Sequence, residues 1–267
     1  MKPGSETRSG FTLMEVAVVT VIVGLLMALV FPVIARAKGA AERASCIANL
    51  KELSLATTIY EQDADDEMFP YGYYRGAEYL TWWGDLITGE PQDGLLFPYT
   101  RSGQIRGCPS ARNLPTGSPP TYTMGYGVNF RLFFDYPPSA PPYGFISINM
   151  SQVEEPAETV FMGDAAQWDP STRGAVGTAW LFGDSWDNHF HARHAGNIAN
   201  VAWLDGHVTG VHLYYHIAPL GYAPFVVQPE DLKACNLGDL FKFPPADPYA
   251  PENDVLDQYY FLLQKPQ

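Results

Sequence analysis

The chain has 267 residues with 29 acidic against 16 basic side chains, and its net charge of −13 argues against a broad basic face for nucleic acid or anionic lipid. Its 24 Gly, 23 Pro, 16 Tyr and 15 Phe exclude a disordered chain and favour a loop-rich, aromatic-packed β domain over a helical bundle. The length allows one good-sized domain or two small ones.

The first element is Gly10-Phe11-Thr12-Leu13-Met14-Glu15, followed by an uncharged apolar run from Val16 to Ile34. That run reaches the roughly 17 to 25 residues a helix needs to cross about 30 Å of hydrocarbon. A secretory signal carries its small-residue cleavage site after the apolar core. Here the small residue comes first, so a cut after Gly10 leaves the apolar segment on the mature chain. Lys2 and Arg8 precede the run and Arg36, Lys38 and Arg43 follow it, so basic flanks alone do not orient it. Glu15 stands near the start of a lipid-facing helix, where a carboxylate costs about 2.5 to 3.5 kcal/mol at the bilayer centre and less at an interface. Either it snorkels on an ordinary signal anchor or it has a partner.

This N-terminus resembles that of type IV pilin-like proteins and of the pseudopilins of type II secretion systems. The resemblance implies a prepilin leader over residues 1–10 in the cytoplasm, cleavage by prepilin peptidase after Gly10, and N-methylation of Phe11. It further implies that Glu15 pairs with the terminal charge of a neighbouring subunit during filament assembly. The implied setting is the bacterial inner membrane, crossed once, with the globular domain on the periplasmic or extracellular side.

Beyond Ile34 the pattern turns amphipathic. Ala35, Ala37, Ala40, Ala41, Ala44 and Ala48 favour a continuing helix, with Gly39 as a weak breaker. Ile47, Leu50, Leu53, Thr57 and Tyr60 recur at steps of three and four and predict a core-facing stripe. One helix from Phe11 to about Glu61 is expected, a rod of roughly 75 Å at about 1.5 Å per residue, with residues 11–34 in the membrane and 35–62 outside it. Gly24 and Pro32 are places for it to kink. It should end before Asp63-Ala64-Asp65-Asp66-Glu67, because acids disfavour a helix C-terminus. That cluster reads as a solvated loop, with calcium the alternative occupant; it lacks the Gly and terminal Glu of a helix-loop-helix calcium site.

Residues 63–267 form the expected globular domain. From Tyr71 to about Pro142 the apolar islands Trp82-Trp83 and Leu95-Leu96-Phe97 are cut by Pro109 and by Pro-Pro pairs at Pro119, Pro137 and Pro141, predicting long loops. Thr159 to Asp164 reads as a buried strand ending at a turn. Asn200–Leu204 and His207–His212 predict a hairpin with Asp205-Gly206 as a two-residue turn. The tail from Pro229 reads as irregular until Asp257–Leu263, a short helix or edge strand.

Arg193-His194-Ala195-Gly196-Asn197 followed by Asp205-Gly206 resembles the C-terminal motif of a bacterial group within the pilin-like proteins, in which nine residues separate a histidine from Asp-Gly. Ten separate His194 from Asp205, an excess that a β-bulge or a loop insertion can absorb. Ser45-Cys46 with Asn49-Leu50-Lys51 resembles the pattern that group carries beyond its membrane span. The likeness covers both ends of the chain and leaves the middle unmatched.

Cys46, Cys108 and Cys235 permit at most one disulfide, and Cys46 with Cys108 is the pair that would tie the helix to the first loop region. Buried free thiols are the alternative. His189, His191 and His194 with Asp164 and Asp205 offer an imidazole-carboxylate metal site; the plainer reading is a hairpin fixed by hydrogen bonds of Asp205 with a nearby His or Arg. The expected fold is α+β, a long N-terminal helix followed by a mainly antiparallel β domain with long loops. The expected function is a non-enzymatic pilin-like subunit, without an obligate cofactor, whose partners are prepilin peptidase, other pilin-like subunits and the inner membrane, with no nucleic acid. The alternatives are a membrane-anchored metal-dependent enzyme and a cell-surface binding module that never polymerises.

Overall fold

The computed structural model describes residues 12–85, 88, 90–105, 107–115, 125–133, 148–182, 188–215, 219–222, 225–240 and 259–261. Gly10, Phe11, the Pro-Pro pairs and most of the segment 257–263 lie outside them. The chain divides into two units, Met1–Ala41 and Glu42–Gln267.

Helix α1, Leu13–Asp63, contributes to both units and is unbroken through Gly24, Pro32 and Gly39. Pro32 has no N–H to offer the Ala28 carbonyl, and one missing rung does not end a helix that is regular on both sides. In the first unit every residue from Leu13 to Ile34 is exposed, Leu13 at 88% and Phe31 at 76%. This helix is long and apolar enough to cross a membrane.

In the second unit α1 buries Cys46, Leu50, Leu53, Ser54, Ala56 and Thr57. Leu50, Leu53 and Thr57 of the expected stripe are inside, while Ile47 and Tyr60 are half-buried. Leu50 and Leu53 join a core with Met68, Phe69, Trp82, Trp83, Phe133 and Phe161, each leucine worth roughly 1.5 to 3 kcal/mol of burial. Aromatic pairs fill the remainder: Tyr71 stacks on Trp180 at 4.5 Å between centroids. The acidic exit from α1 is a turn in which Asp65 and Asp66 take φ of 54° and 63°.

Strands β1 (Gly72–Arg75) and β2 (Glu78–Thr81) form a hairpin, followed by the short helix α2 (Phe97–Thr100). The main sheet is built around β4, Val160–Asp169. Its first half pairs antiparallel with β3 (Tyr126–Asn129) on one side and β8 (Ile198–Trp203) on the other. Its second half pairs antiparallel with β5 (Gly174–Val176) and β7 (Asn188–His191). Strand β6 (Trp180–Leu181) is parallel to β3, β9 (Val208–His212) pairs with β8, and β12 (Leu237–Gly238) pairs with β7. Strands β10 (Leu220–Tyr222) and β11 (Phe225–Val227) form a separate hairpin. The architecture is α+β with a mainly antiparallel sheet.

Three sequence expectations need correction. The strand predicted to stop at Asp164 continues to Asp169, because β4 exchanges partners there instead of turning. The tail after Pro229 holds helix α3 (Pro229–Ala234) and β12; Pro at the first helical position with Glu230 and Asp231 in the first turn is the start signal that marked it. The β8–β9 connection is not a two-residue turn. Gly206 N–H donates to the Trp203 carbonyl and Trp203 N–H to the His207 carbonyl, while Gly206 alone within the turn takes a positive φ, +87°. That pattern is a three-residue loop closed by a glycine bulge.

Candidate functional site

The partner exchange in β4 creates a special position. Gly163 faces Val201 of β8, and Ala165 faces Phe190 of β7. Between them Asp164 opposes only Tyr126 of β3, and the Asn200 N–H, freed from a ladder bond, donates to Asp164 Oδ2 at 2.7 Å. The carboxylate is 0% exposed.

Three other elements deliver side chains to it. Cys46 comes from the buried face of α1, and its Sγ–H donates to Asp164 Oδ1 at 3.2 Å. His194 precedes the tight turn Ala195-Gly196-Asn197, where Gly196 and Asn197 take φ of +85° and +56°; backbone bonds between His194 and Ile198 close the turn in both directions. Its Nε2 lies 3.0 Å from Asp164 Oδ2 and 3.7 Å from Cys108 Sγ. Cys108 is set by the 3-10 turn Pro109–Ala111, whose Ala111 N–H donates to the Cys108 carbonyl. One ligand atom from each of Cys46, Cys108, Asp164 and His194 lies within 4.8 Å of all the others, and all four residues are buried.

One cation and two neutral donors flank this cluster. The Arg193 guanidinium donates to the carbonyls of Gly125 at 2.9 Å and Ala165 at 2.5 Å, with Nε 3.9 Å from Asp164 Oδ1. Asn200 Nδ2 donates to Cys46 Sγ at 3.3 Å, and Tyr126 Oη donates to the Cys46 carbonyl at 3.2 Å. Burial by itself would raise the Asp164 carboxyl; the Arg193 charge, the His194 contact and the Asn200 N–H outweigh it and hold the group ionised below the usual range. Burial would lower His194, and its hydrogen bonds to Asp164 and Cys108 raise it to about 9. The adjacent Cys46 thiol does most to lower Cys108, against burial and aided by His194. Cys46 itself is pushed up, first by burial and then by Cys108 and Asp164.

The expected imidazole-carboxylate set is thus divided. His194 and Asp164 meet, but His189 turns to Asp239, with Nδ1 2.9 Å from Oδ2. His191 is buried with its Nδ1 lacking a hydrogen-bond partner among the described residues, and burial followed by the Arg193 charge lowers it to about 3. Cys46 and Cys108 come together, but as free thiols; Cys235, half-buried, is also free and outside the cluster. Asp205 of the C-terminal motif is not a partner of His194. It accepts from the His207 N–H at 3.1 Å and lies 2.5 Å from His207 Nδ1 at the exposed hairpin turn, which is the plainer reading of that Asp-Gly. The register shift of the β4–β8 ladder falls between Val160 and Met162 on β4.

At the other end of the chain Glu15 Oε2 accepts from both the backbone N–H and the hydroxyl of Thr12, each at 2.8 Å, and the Glu15 N–H donates to Thr12 Oγ1 at 3.3 Å. Thr12-x-x-Glu15 is a capping box, a signal carried by the sequence itself. The acidic exit loop is used as backbone: Asn149 Nδ2 donates to the Asp65 carbonyl and the Met150 N–H to that of Asp66.

Comparison of this chain with family models, with curated proteins and with solved structures found no match.

Proposed function

We propose that this chain is a pilin-like subunit, cut by prepilin peptidase after Gly10, methylated on Phe11, held in the bacterial inner membrane by α1, and assembled into a type IV pilus or type II secretion pseudopilus. The observation that carries the reading is the order of parts: Gly10-Phe11-Thr12-Leu13-Met14-Glu15 leads into a helix whose apolar residues from Leu13 to Ile34 are all exposed. Water does not tolerate an unbroken apolar rod of that size. Lipid covers it in the single subunit, and the same surfaces of other subunits would cover it in a filament. The second unit, Glu42–Gln267, would decorate the outside.

Glu15 has two tasks in this reading. It caps its own helix, and in a filament it compensates the terminal charge of a neighbour. Among the described residues Cys108 is 3% exposed and Asp164 0%, which supports a structural over a catalytic reading of that cluster. Recovery of the chain in sheared surface filaments tests assembly: the native chain should be recovered and Glu15→Ala should not. Equal recovery of both would count against assembly, and absence of both would favour a binding module that never polymerises.

A further inference from the structure

We propose that Cys46, Cys108, Asp164 and His194 are the four ligands of a buried structural zinc site that clamps the second-unit part of α1 to β4 and to the loops carrying Cys108 and His194. The proposal concerns Glu42–Gln267 alone and stands whether or not the chain polymerises.

Geometry comes first. Metal–donor distances of about 2.3 Å to sulfur and about 2.0 to 2.1 Å to nitrogen and oxygen put the edges of a tetrahedron at roughly 3.3 to 3.8 Å. The observed separations are 3.7 Å for Cys108 Sγ to His194 Nε2, 3.2 Å for Cys46 Sγ to Asp164 Oδ1 and 3.0 Å for His194 Nε2 to Asp164 Oδ2. The four ligand atoms all lie within 4.8 Å of one another, so side-chain movements of up to about 1 Å bring them to the tetrahedral edge. A single imidazole nitrogen, Nε2, faces both Cys108 and Asp164, as a ligating atom would. The four ligands come from separate stretches of chain, so an ion there joins segments that the sequence holds far apart.

Donor chemistry selects the ion. Two thiolates discriminate against magnesium and calcium, which prefer oxygen, while a neutral imidazole and a carboxylate suit zinc. The set is closed: four protein ligands and burial leave no position for substrate, which is the mark of a structural site.

The surroundings match a charged centre. Two thiolates and a carboxylate exceed a divalent cation by one negative charge, and the Arg193 guanidinium, its side chain 3% exposed, supplies the opposing positive charge. The Asn200 amide donates to Cys46 Sγ, and its backbone N–H orients the Asp164 carboxylate; such outer contacts fix ligand orientation. Binding needs no oxidant. Thiol protons and any second imidazole proton leave to solvent as the zinc bonds form.

The test uses the full chain, purified in detergent without chelators and under reducing conditions. Metal analysis and native mass should give one zinc per chain, retained in Cys235→Ser and lost in Cys108→Ser. Cobalt replacing zinc in the unaltered chain should show the intense visible bands of tetrahedral geometry and thiolate-to-cobalt charge transfer, a readout that does not depend on any variant folding. Asn200→Ala, which keeps all four ligands, should weaken zinc binding about 10- to 100-fold in competition with a chromophoric chelator. Three results would overturn the proposal: a chain that takes up no zinc while both thiols titrate freely, a Cys46–Cys108 cross-link with a mass lower by two hydrogens in the native protein, or stoichiometric zinc unaffected by Cys108→Ser.

Discussion

His194 Nε2 lies 3.0 Å from Asp164 Oδ2, with the two side chains 1% and 0% exposed. This contact joins the turn before β8 to the point where β4 changes partners, and it separates the histidine of the C-terminal motif from the aspartate that follows it in sequence. Asp164→Ala should therefore be severe. It strands the buried Arg193 cation and the Asn200 N–H, a loss of about 3 to 5 kcal/mol for a broken buried pair. Asp205→Ala, which removes an exposed turn contact, should cost under about 1 kcal/mol. Urea unfolding of the full chain in detergent, followed by tryptophan fluorescence, compares them; equal costs would show that the buried contact does not carry the weight assigned to it.

Glu61, half-buried near the end of α1, is raised to about 7 by burial and then by Asp66, from an ordinary 4.5. Below about 4.5 both folded and unfolded chains hold this proton, and the group is neutral to stability. Between 4.5 and about 7 only the folded chain keeps it, so stability should fall as pH rises through that window and level off above it. Partial exposure makes the effect smaller than the shift alone implies. Urea midpoints measured across the window should decline less in Glu61→Gln than in the native chain; parallel declines would contradict this.

Two glycines fail for different reasons when given a side chain. A Cβ at Gly127 would meet the Trp180 carbonyl oxygen at 2.6 Å, so Gly127→Ala must push β3 from β6, at about 1 to 3 kcal/mol. A Cβ at Gly206 meets nothing within 4 Å, but φ there is +87°, so Gly206→Ala should cost about 1 to 2 kcal/mol through backbone conformation alone. Asn, which tolerates that region, should recover most of the loss at 206 and none at 127, as read from thermal midpoints.

The capping box predicts that Thr12→Ala loosens the first turn of α1 by about 1 kcal/mol, seen as faster amide exchange at Met14 to Val16 in detergent. The Glu15 carboxylate survives in that variant. Filament recovery should persist in Thr12→Ala and fail in Glu15→Ala, which separates capping from assembly.

Local signals were legible and non-local ones were not. The α1 stripe at Leu50, Leu53 and Thr57 and the β8–β9 hairpin follow from periodicity and turn composition within a few residues. His194 and Asp164 are recognisable as chemistry-bearing residues and Cys46 with Cys108 as a pair, but nothing local joins the two sets. Cys46 bonds to Asp164 across 118 positions and Cys108 reaches His194 across 86, contacts that depend on how β4 exchanges partners. His189 and His191 looked like ligands because two positions apart on a strand share a face. The pairing of β7 with β12 brings Asp239 to His189 instead, and no feature near His189 in sequence foretells it.

Intact mass and N-terminal sequencing of the protein isolated from its native membrane test the central claim most directly. The account predicts a chain that begins at methylated Phe11 and keeps the apolar helix. A chain beginning at an unmodified Met1, or one cut beyond Ile34, would contradict it.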